Sequence, residues 1–352
     1  MSQSSKWSQL RTIYKMWINS SFMLWRNRTL KRLSSISHQT KRPGMIEYPA
    51  KVFKDSLPTT LPVITHLINS LFASNCFAQT WKSAVIIPNL KSGDPDEPEN
   101  TRPISLLPIM WKVCEKAAHT QFMDFLDKNS KVFGLHSWNR KFHYTETALL
   151  HYTDQLLKNM AEKRISVVVL LDMSKAFDSI QHDSLLSKLH LLGVLASALV
   201  WFKSYLSLRK QVVRIGSELS DPLPLTVGVA QGSILGPVLF TSYVNDLLSV
   251  PKKCVARGYV DDTKLFLTLP PTCVAISDLN SDLREIAKWC STNSLLINPN
   301  KTELLVVGVP QLTRNLSLTP VFLTREEHQA LSRCKRLGDL DRLCRNFRRP
   351  CI

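Results

Sequence analysis

The sequence predicts an α+β fold, an antiparallel sheet with helices packed on one face. Three observations predict it. Ile165-Ser166-Val167-Val168-Val169-Leu170-Leu171 is a continuous β-branched and apolar run, the pattern of a buried central strand. Thr263, Leu265 and Leu267 alternate with Lys264, Phe266 and Thr268, the period of two expected of a half-buried strand. Val63, Ile64, Leu67, Ile68, Leu71 and Phe72 recur at helical spacing.

Taken in order, residues 1 to about 55 are rich in Lys and Arg, with Trp7, Trp17 and Trp25 interleaved. They read either as an RNA-contacting arm of stacking rings and cations or as amphipathic helices that expose a basic face. The Ser-rich stretch 33–40 and Lys41-Arg42-Pro43-Gly44 read as a linker. A helix is predicted from Pro62, a strand over Ala84–Pro88, and a polar loop from Asn89 to Asn100. A long helix follows from about Leu106 to Asp127, with Val113, Ala117, Phe122 and Phe125 in the core, and another begins near Glu146. After the central strand come helices near 183–192 and 197–206, then strands at Val212–Ile215 and Leu225–Val227. Pro237 suits the first turn of a helix that runs to about Leu248. A hairpin follows around residues 255–268, then a helix over about Ser277–Ser291 bearing Leu279, Leu283, Ile286 and Trp289, and a last strand at Leu304–Val307.

Hydrophobic content of 44% and charged content of 21% are ordinary for a globular protein. The net charge of +17 is not, and it favours a polyanion, nucleic acid ahead of an anionic membrane. The eight cysteines are scattered without a Cys-x-x-Cys pair, so neither a zinc site nor a disulfide framework is indicated. No apolar run reaches membrane-spanning length, and the N-terminus lacks the architecture of a signal peptide.

The candidate chemistry centres on Tyr259-Val260-Asp261-Asp262, read as the tip of a β-hairpin. Adjacent ionised carboxylates repel, and their hard oxygens suit Mg²⁺. The bland alternative is a solvated acidic loop. Asp172 ends the buried strand, where a carboxylate is costly unless solvated, paired or metal-bound; the alternative is an N-cap for the next turn. If that strand lies beside the hairpin, Asp172, Asp261 and Asp262 converge, and three carboxylates suit a pair of Mg²⁺ ions in phosphoryl transfer.

Leu171-Asp172-Met173-Ser174-Lys175-Ala176-Phe177-Asp178, then Gln231-Gly232-Ser233-Ile234-Leu235-Gly236-Pro237, then Tyr259-Val260-Asp261-Asp262, then Asn300-Lys301-Thr302, stand in an order that resembles the reverse transcriptase domain of non-LTR, LINE-type retrotransposons of the jockey/CR1/L2 kind. The resemblance covers about Pro62 to Gly308. It implies a right-hand polymerase with fingers and a palm, copying an RNA template by adding dNTPs to a DNA primer. Mg²⁺ is the implied cofactor, with Mn²⁺ able to substitute. Asp172 and Asp261 become the principal metal ligands and Asp262 the neighbouring acid. Phe177 matches the steric gate that excludes a ribose 2′-OH, and Gln231 and Gly232 match the segment that holds template and incoming base. Lys91 and Arg102 match the bases that clamp the triphosphate. Lys301 is placed to protonate or neutralise the leaving pyrophosphate. An intracellular location, cytoplasmic or nuclear, accompanies the family.

The implied organisation is a basic extension over 1–60, the reverse transcriptase domain over 61–310 and a degenerate or truncated tail over 311–352, in which Lys335-Arg336-Leu337-Gly338 resembles a primer-grip segment. The thumb and the endonuclease of such elements are expected to be missing. Phe142 and Tyr144 stand where the family has small residues. Two other readings compete: a non-catalytic remnant that binds nucleic acid through its basic surface, and another right-hand polymerase such as a maturase or an RNA polymerase, against which Phe177 speaks.

Overall fold

The computed structural model describes residues 50–91, 93–131, 145–259, 262–270, 277–314 and 334–337. The arm bearing Trp7, Trp17 and Trp25, the departures Phe142 and Tyr144, and Asp261 lie outside the described residues. The described helices are α1 (Ala50–Ala73), α2 (Ile109–Lys128), α3 (Thr145–Ala161), α4 (His182–Leu191), α5 (Ala196–Leu206), α6 (Gly236–Tyr243), α7 (Ser277–Thr292) and α8 (Pro310–Arg314). The strands are β1 (Ser83–Leu90), β2 (Thr101–Leu106), β3 (Ile165–Leu171), β4 (Met173–Ser174), β5 (Arg209–Ile215), β6 (Glu218–Leu219), β7 (Leu223–Leu225), β8 (Val255–Tyr259), β9 (Asp262–Leu269), β10 (Leu296–Ile297), β11 (Glu303–Val307) and β12 (Cys334–Leu337). No described helix is long and apolar enough to cross a membrane. The contacts divide the chain into two units, residues 1–117 with 210–223, and residues 118–209 with 224–352.

In the first unit the strand order is β2-β1-β5-β6, with β1 antiparallel to β2 and parallel to β5. Pro88 and Pro103 face each other in the β1–β2 register, and β5 pairs β1 only up to Ile86. Neither proline therefore removes a needed ladder bond. Phe77 anchors the core edge-to-face between Trp81 (5.7 Å) and Trp111 (5.6 Å). Helix α1 starts at Ala50, not at Pro62, and includes Pro58 and Pro62. Leu57, Ile64 and Ile68 are buried along one stripe, and that burial outweighs the missing amide donors.

The second unit is built on a sheet of order β12-β11-β3-β9-β8. It is antiparallel except at β11–β12, which is parallel. Helix α3 covers one face: Leu156 packs with Val168, Leu305 and Val307, and Tyr152 stacks on Phe266 at 5.2 Å. Asn159 Nδ2 donates to Ser166 Oγ (2.8 Å) and Thr268 Oγ1 (3.0 Å), so the helix is tied to both β3 and β9. Val167, Val169, Leu265, Leu304 and Val306, on the opposite face, are buried as well. The expectation of one covered face is thereby corrected: both faces are covered, which is why β3 carries a continuous apolar run rather than an alternation.

The helix starting at Gly236 ends at Tyr243 and passes into a 3₁₀ turn over Asn245–Ser249, short of the predicted Leu248. Lys188 Nζ fastens this junction, donating to the Tyr243 carbonyl (2.8 Å) and Asp246 Oδ1 (2.7 Å) and lying over the Trp289 ring at 4.4 Å. Trp289 Nε1 donates to Asp246 Oδ2 at 3.2 Å.

Asp282 on α7 is buried and accepts the backbone N–H groups of Lys252, Lys253 and Cys254 at 3.0, 2.8 and 2.7 Å, which fixes the entry to β8. Burial pushes its carboxyl up, but the three donors outweigh burial and hold it below the usual carboxylate value of 3.8. A depressed carboxyl stabilises the fold above its unfolded-chain value, and that contribution is lost as pH falls through the lowered one. Asp282→Ala should cost roughly 2–4 kcal/mol at neutral pH. The loss should shrink as the medium is acidified below pH 3.8, as read by urea denaturation at several pH values.

Candidate active site

The register of β3 on β9 places the acids. Leu170 pairs with Lys264 and Leu171 with Thr263, the last pair of the ladder, so Asp172 follows the end of β3 and Asp262 precedes Thr263 at the start of β9. Tyr259 pairs with Asp262 on the other side of β9, the last pair of the β8–β9 ladder. The antiparallel β8–β9 pair expected from the alternation is present. Asp172 and Asp262 thus flank the last β3–β9 pair. Asp261 itself is outside the described residues, and among the described residues no group of three His, Cys, Asp or Glu side chains gathers for a metal.

The backbone at Asp172 is held from the side of the Asn298-Pro299-Asn300-Lys301-Thr302 turn. Asn298 N donates to the Asp172 carbonyl (2.8 Å), and the Asp172 amide points at Thr302 Oγ1 (3.4 Å). Thr302 is fully buried and its hydroxyl donates to the Asn298 carbonyl at 2.8 Å. Just before the turn, β10 pairs with β4, with Ile297 opposite Met173. Lys301 is exposed on this turn. Sequence reasoning took the turn for its lysine and missed Thr302, whose role shows only through contacts remote in the chain.

After Asp172 the chain turns at Lys175, whose φ of 49° is left-handed, into a 3₁₀ turn over Ala176–Ser179. Phe177 is half-buried, with one ring face stacked on the fully buried Phe240 at 5.0 Å. The loop 228–237 docks against this turn. Gly228 N donates to the Ile180 carbonyl (2.8 Å), Val229 N to the Phe177 carbonyl (2.9 Å), and His182 Nε2 to the Gly228 carbonyl (2.8 Å). Burial lowers the His182 pKa, with the Arg209 charge adding to the fall and Gly228 and Asp183 opposing it. The neutral ring donates this bond. Gly228 sits at φ +83°, and a Cβ there would lie 2.9 Å from both Cα and O of Asp178. Only glycine allows so close an approach. Gln231 Nε2 reaches Asp178 Oδ2 at 3.4 Å, and Gly232 adopts φ +101°. The loop bearing Gln231 and Gly232 thus packs on the turn bearing Phe177, while the parts played by Asp178, His182 and Gly228 were not foreseen. The nearby Gly-rich stretch was the one available signal.

Lys91 and Arg102 belong to the first unit. Arg102 pairs with Asn89 and the Lys91 amide donates to the Asn100 carbonyl at 2.8 Å, so both bases lie exposed on one face of the β1–β2 hairpin end.

On the sheet face that packs against α3, Arg257 pairs with Lys264 across β8 and β9, with Lys264 Nζ over the Tyr152 ring at 4.8 Å. Burial pushes the Tyr152 phenol up to about 12, with Arg257 opposing the rise and Asp262 adding to it.

The comparisons agree with this geometry. Residues 90–334 match the family described as Reverse transcriptase (RNA-dependent DNA polymerase). The chain is 32% identical over 278 residues to the Probable RNA-directed DNA polymerase from transposon BS of Drosophila melanogaster, covering 74% of this chain and 30% of that protein. It is 29% identical over 249 residues to the RNA-directed DNA polymerase from mobile element jockey of the same species, covering 68% and 27%. With the Probable RNA-directed DNA polymerase from transposon X-element, also from that fly, identity is 28% over 247 residues, covering 68% and 27%. The chain therefore spans less than a third of the length of these curated relatives. With seventy per cent of its residues' span inside the family match and the acidic strands in register, the chain belongs to the reverse transcriptase (RNA-dependent DNA polymerase) family, among its non-LTR retrotransposon members.

Proposed function

We propose that this chain is an RNA-directed DNA polymerase domain, adding nucleotides from dNTPs to a primer 3′-hydroxyl along an RNA template. The observation that carries the reading is that the β3–β9 ladder ends at the pair Leu171–Thr263, so Asp172 follows the end of β3 where Asp262 opens β9. Neighbouring ionised carboxylates repel each other without a counter-ion. The donor set is of hard carboxylate oxygens, which fits Mg²⁺ or Mn²⁺. Asp172, Asp261 and Asp262 would hold the ions, which when bound lower the pKa of the attacking hydroxyl and stabilise the leaving pyrophosphate.

The remaining roles follow from the residues themselves. The first unit is read as fingers and the second as palm. Phe177, backed by Phe240, is rigid enough to exclude a 2′-hydroxyl by clash. Gln231 and Gly232 form the loop read as holding template and incoming base, with Gln231 oriented by Asp178. Lys91 and Arg102 are read as triphosphate-binding bases, since ammonium and guanidinium both pair with phosphate. Lys301, exposed on its turn, is the proton donor or counter-charge for pyrophosphate.

Template-dependent incorporation of dNTPs on an RNA template tests the reading, and its sugar preference tests the gate. Phe177→Ala should raise kcat/KM for UTP relative to dTTP by roughly tenfold or more. Unchanged sugar selectivity would remove Phe177 from the site.

A further inference from the structure

One peptide group ties the turn bearing Phe177 to the loop bearing Gln231. The Gly228–Val229 peptide is bonded at both of its ends. Its N–H, on Val229, donates to the Phe177 carbonyl at 2.9 Å. Its C=O, on Gly228, accepts from His182 Nε2 at 2.8 Å. The Gly228 amide donates in turn to the Ile180 carbonyl at 2.8 Å. Gly228 and Val229 are both buried, where a peptide group that loses a partner is costly.

Of these three bonds, the one from His182 is made by a side chain. A carbonyl can only accept, so Nε2 carries the proton. Imidazole and imidazolium both have a hydrogen there, so the ring serves as a fixed donor and not as a proton carrier. His182 is the first residue of α4 and is half-buried. It therefore grips, from a rigid element, the same peptide plane whose other end is bonded to Phe177. Further along the loop, Ser233 N donates to the Ala230 carbonyl at 3.1 Å and Gly236 N to Ser233 Oγ at 2.9 Å, both bonds internal to the loop. The Gln231 bond to Asp178 is longer, at 3.4 Å, and Gly232 is exposed. The seat of Gln231 and Gly232 relative to Phe177 is thus set chiefly at the Gly228–Val229 peptide.

We propose that His182 is a positioning residue for nucleotide selection: by holding the Gly228 carbonyl it keeps the loop bearing Gln231 and Gly232 seated on the turn bearing Phe177, and so sharpens the preference for deoxyribose. The inference rests on the polymerase reading above. It assigns His182 no contact with substrate.

The test is primer extension on poly(rA)/oligo(dT) with dTTP or UTP, for wild type, His182→Leu and His182→Gln. Leucine occupies the space of the ring without its donor. In His182→Leu the ratio of kcat/KM for dTTP to that for UTP should fall by roughly three- to tenfold, the range that one hydrogen bond commands, mainly through a higher KM for dTTP. Glutamine presents an amide N–H at similar reach, so His182→Gln should keep a ratio close to that of wild type. A purely structural role would lower incorporation of both nucleotides alike and leave the ratio where it was. An unchanged ratio in folded His182→Leu, or an equal fall in His182→Gln, overturns the inference and leaves the polymerase reading standing. Should His182→Leu fail to fold, ¹⁵N NMR of the wild-type ring decides: a proton held on Nε2 and slow to exchange is expected, and a proton on Nδ1 alone overturns the inference. No extension by wild type overturns the polymerase reading and the inference with it.

Discussion

Asp172→Asn should reduce primer extension by a factor of roughly 10³ or more, because it removes one of the carboxylates proposed to hold the metal ions, on which several kcal/mol of transition-state stabilisation would rest. The fold should not suffer. The contacts that hold this point of the chain, Asn298 N on the Asp172 carbonyl and the Asp172 amide on Thr302, are made by the backbone and survive the substitution. Asparagine has the same shape, and it removes one of two carboxylates that flank the last β3–β9 pair, Leu171 with Thr263. Without metal, the urea midpoint should therefore equal or slightly exceed that of wild type. A large drop in stability with activity lost in proportion would instead make Asp172 a structural residue, the capping alternative weighed for it from the sequence.

Gly228→Ala should be the most damaging single methyl addition in the second unit, costing roughly 3 kcal/mol or more. Two penalties combine. The backbone is left-handed at φ +83°, and the new Cβ would press on Asp178 Cα and O at 2.9 Å. These are backbone atoms, so relief requires moving the turn that carries Phe177 and Asp178. The same shift would part Gln231 from Asp178 and relax sugar selectivity along with stability. Gly216 provides the control. Its φ is +61°, yet nothing lies within 4 Å of a Cβ built there, so Gly216→Ala should cost only about 1 kcal/mol. Equal urea midpoints for the two variants would show that close packing at Gly228 does not matter.

What could be read from the sequence follows a physical division. Strand β3 was legible because burial on both faces leaves an unbroken apolar run, and β9 because one face of the alternation is fully buried while the other lies under α3. Helix α7 was legible from the spacing of Leu279, Leu283 and Ile286, all of them fully buried. The start of α1 was not, because Pro58 and Pro62 read locally as breakers and only the burial of Leu57 and Ile64 reveals that they are tolerated. The parallel pairing of β12 with β11 was hidden for another reason. Leu304 meets Cys334, and a partner so distant in the chain leaves no local pattern. The candidate site divides in the same way. The identities of Asp172, Asp262, Phe177, Gln231 and Gly232 stood in the motifs, whereas the bonds that hold them, from Thr302, His182 and Asp178, depend on contacts that spacing does not encode.

The most direct measurement is primer extension by the purified chain on poly(rA)/oligo(dT) with dTTP and Mg²⁺, run beside Asp262→Asn. The account predicts template-dependent extension by the wild-type chain that the variant loses while still binding the duplex. Binding of the duplex without extension in either protein would contradict it, and would leave a chain whose net charge of +17 serves only to hold nucleic acid.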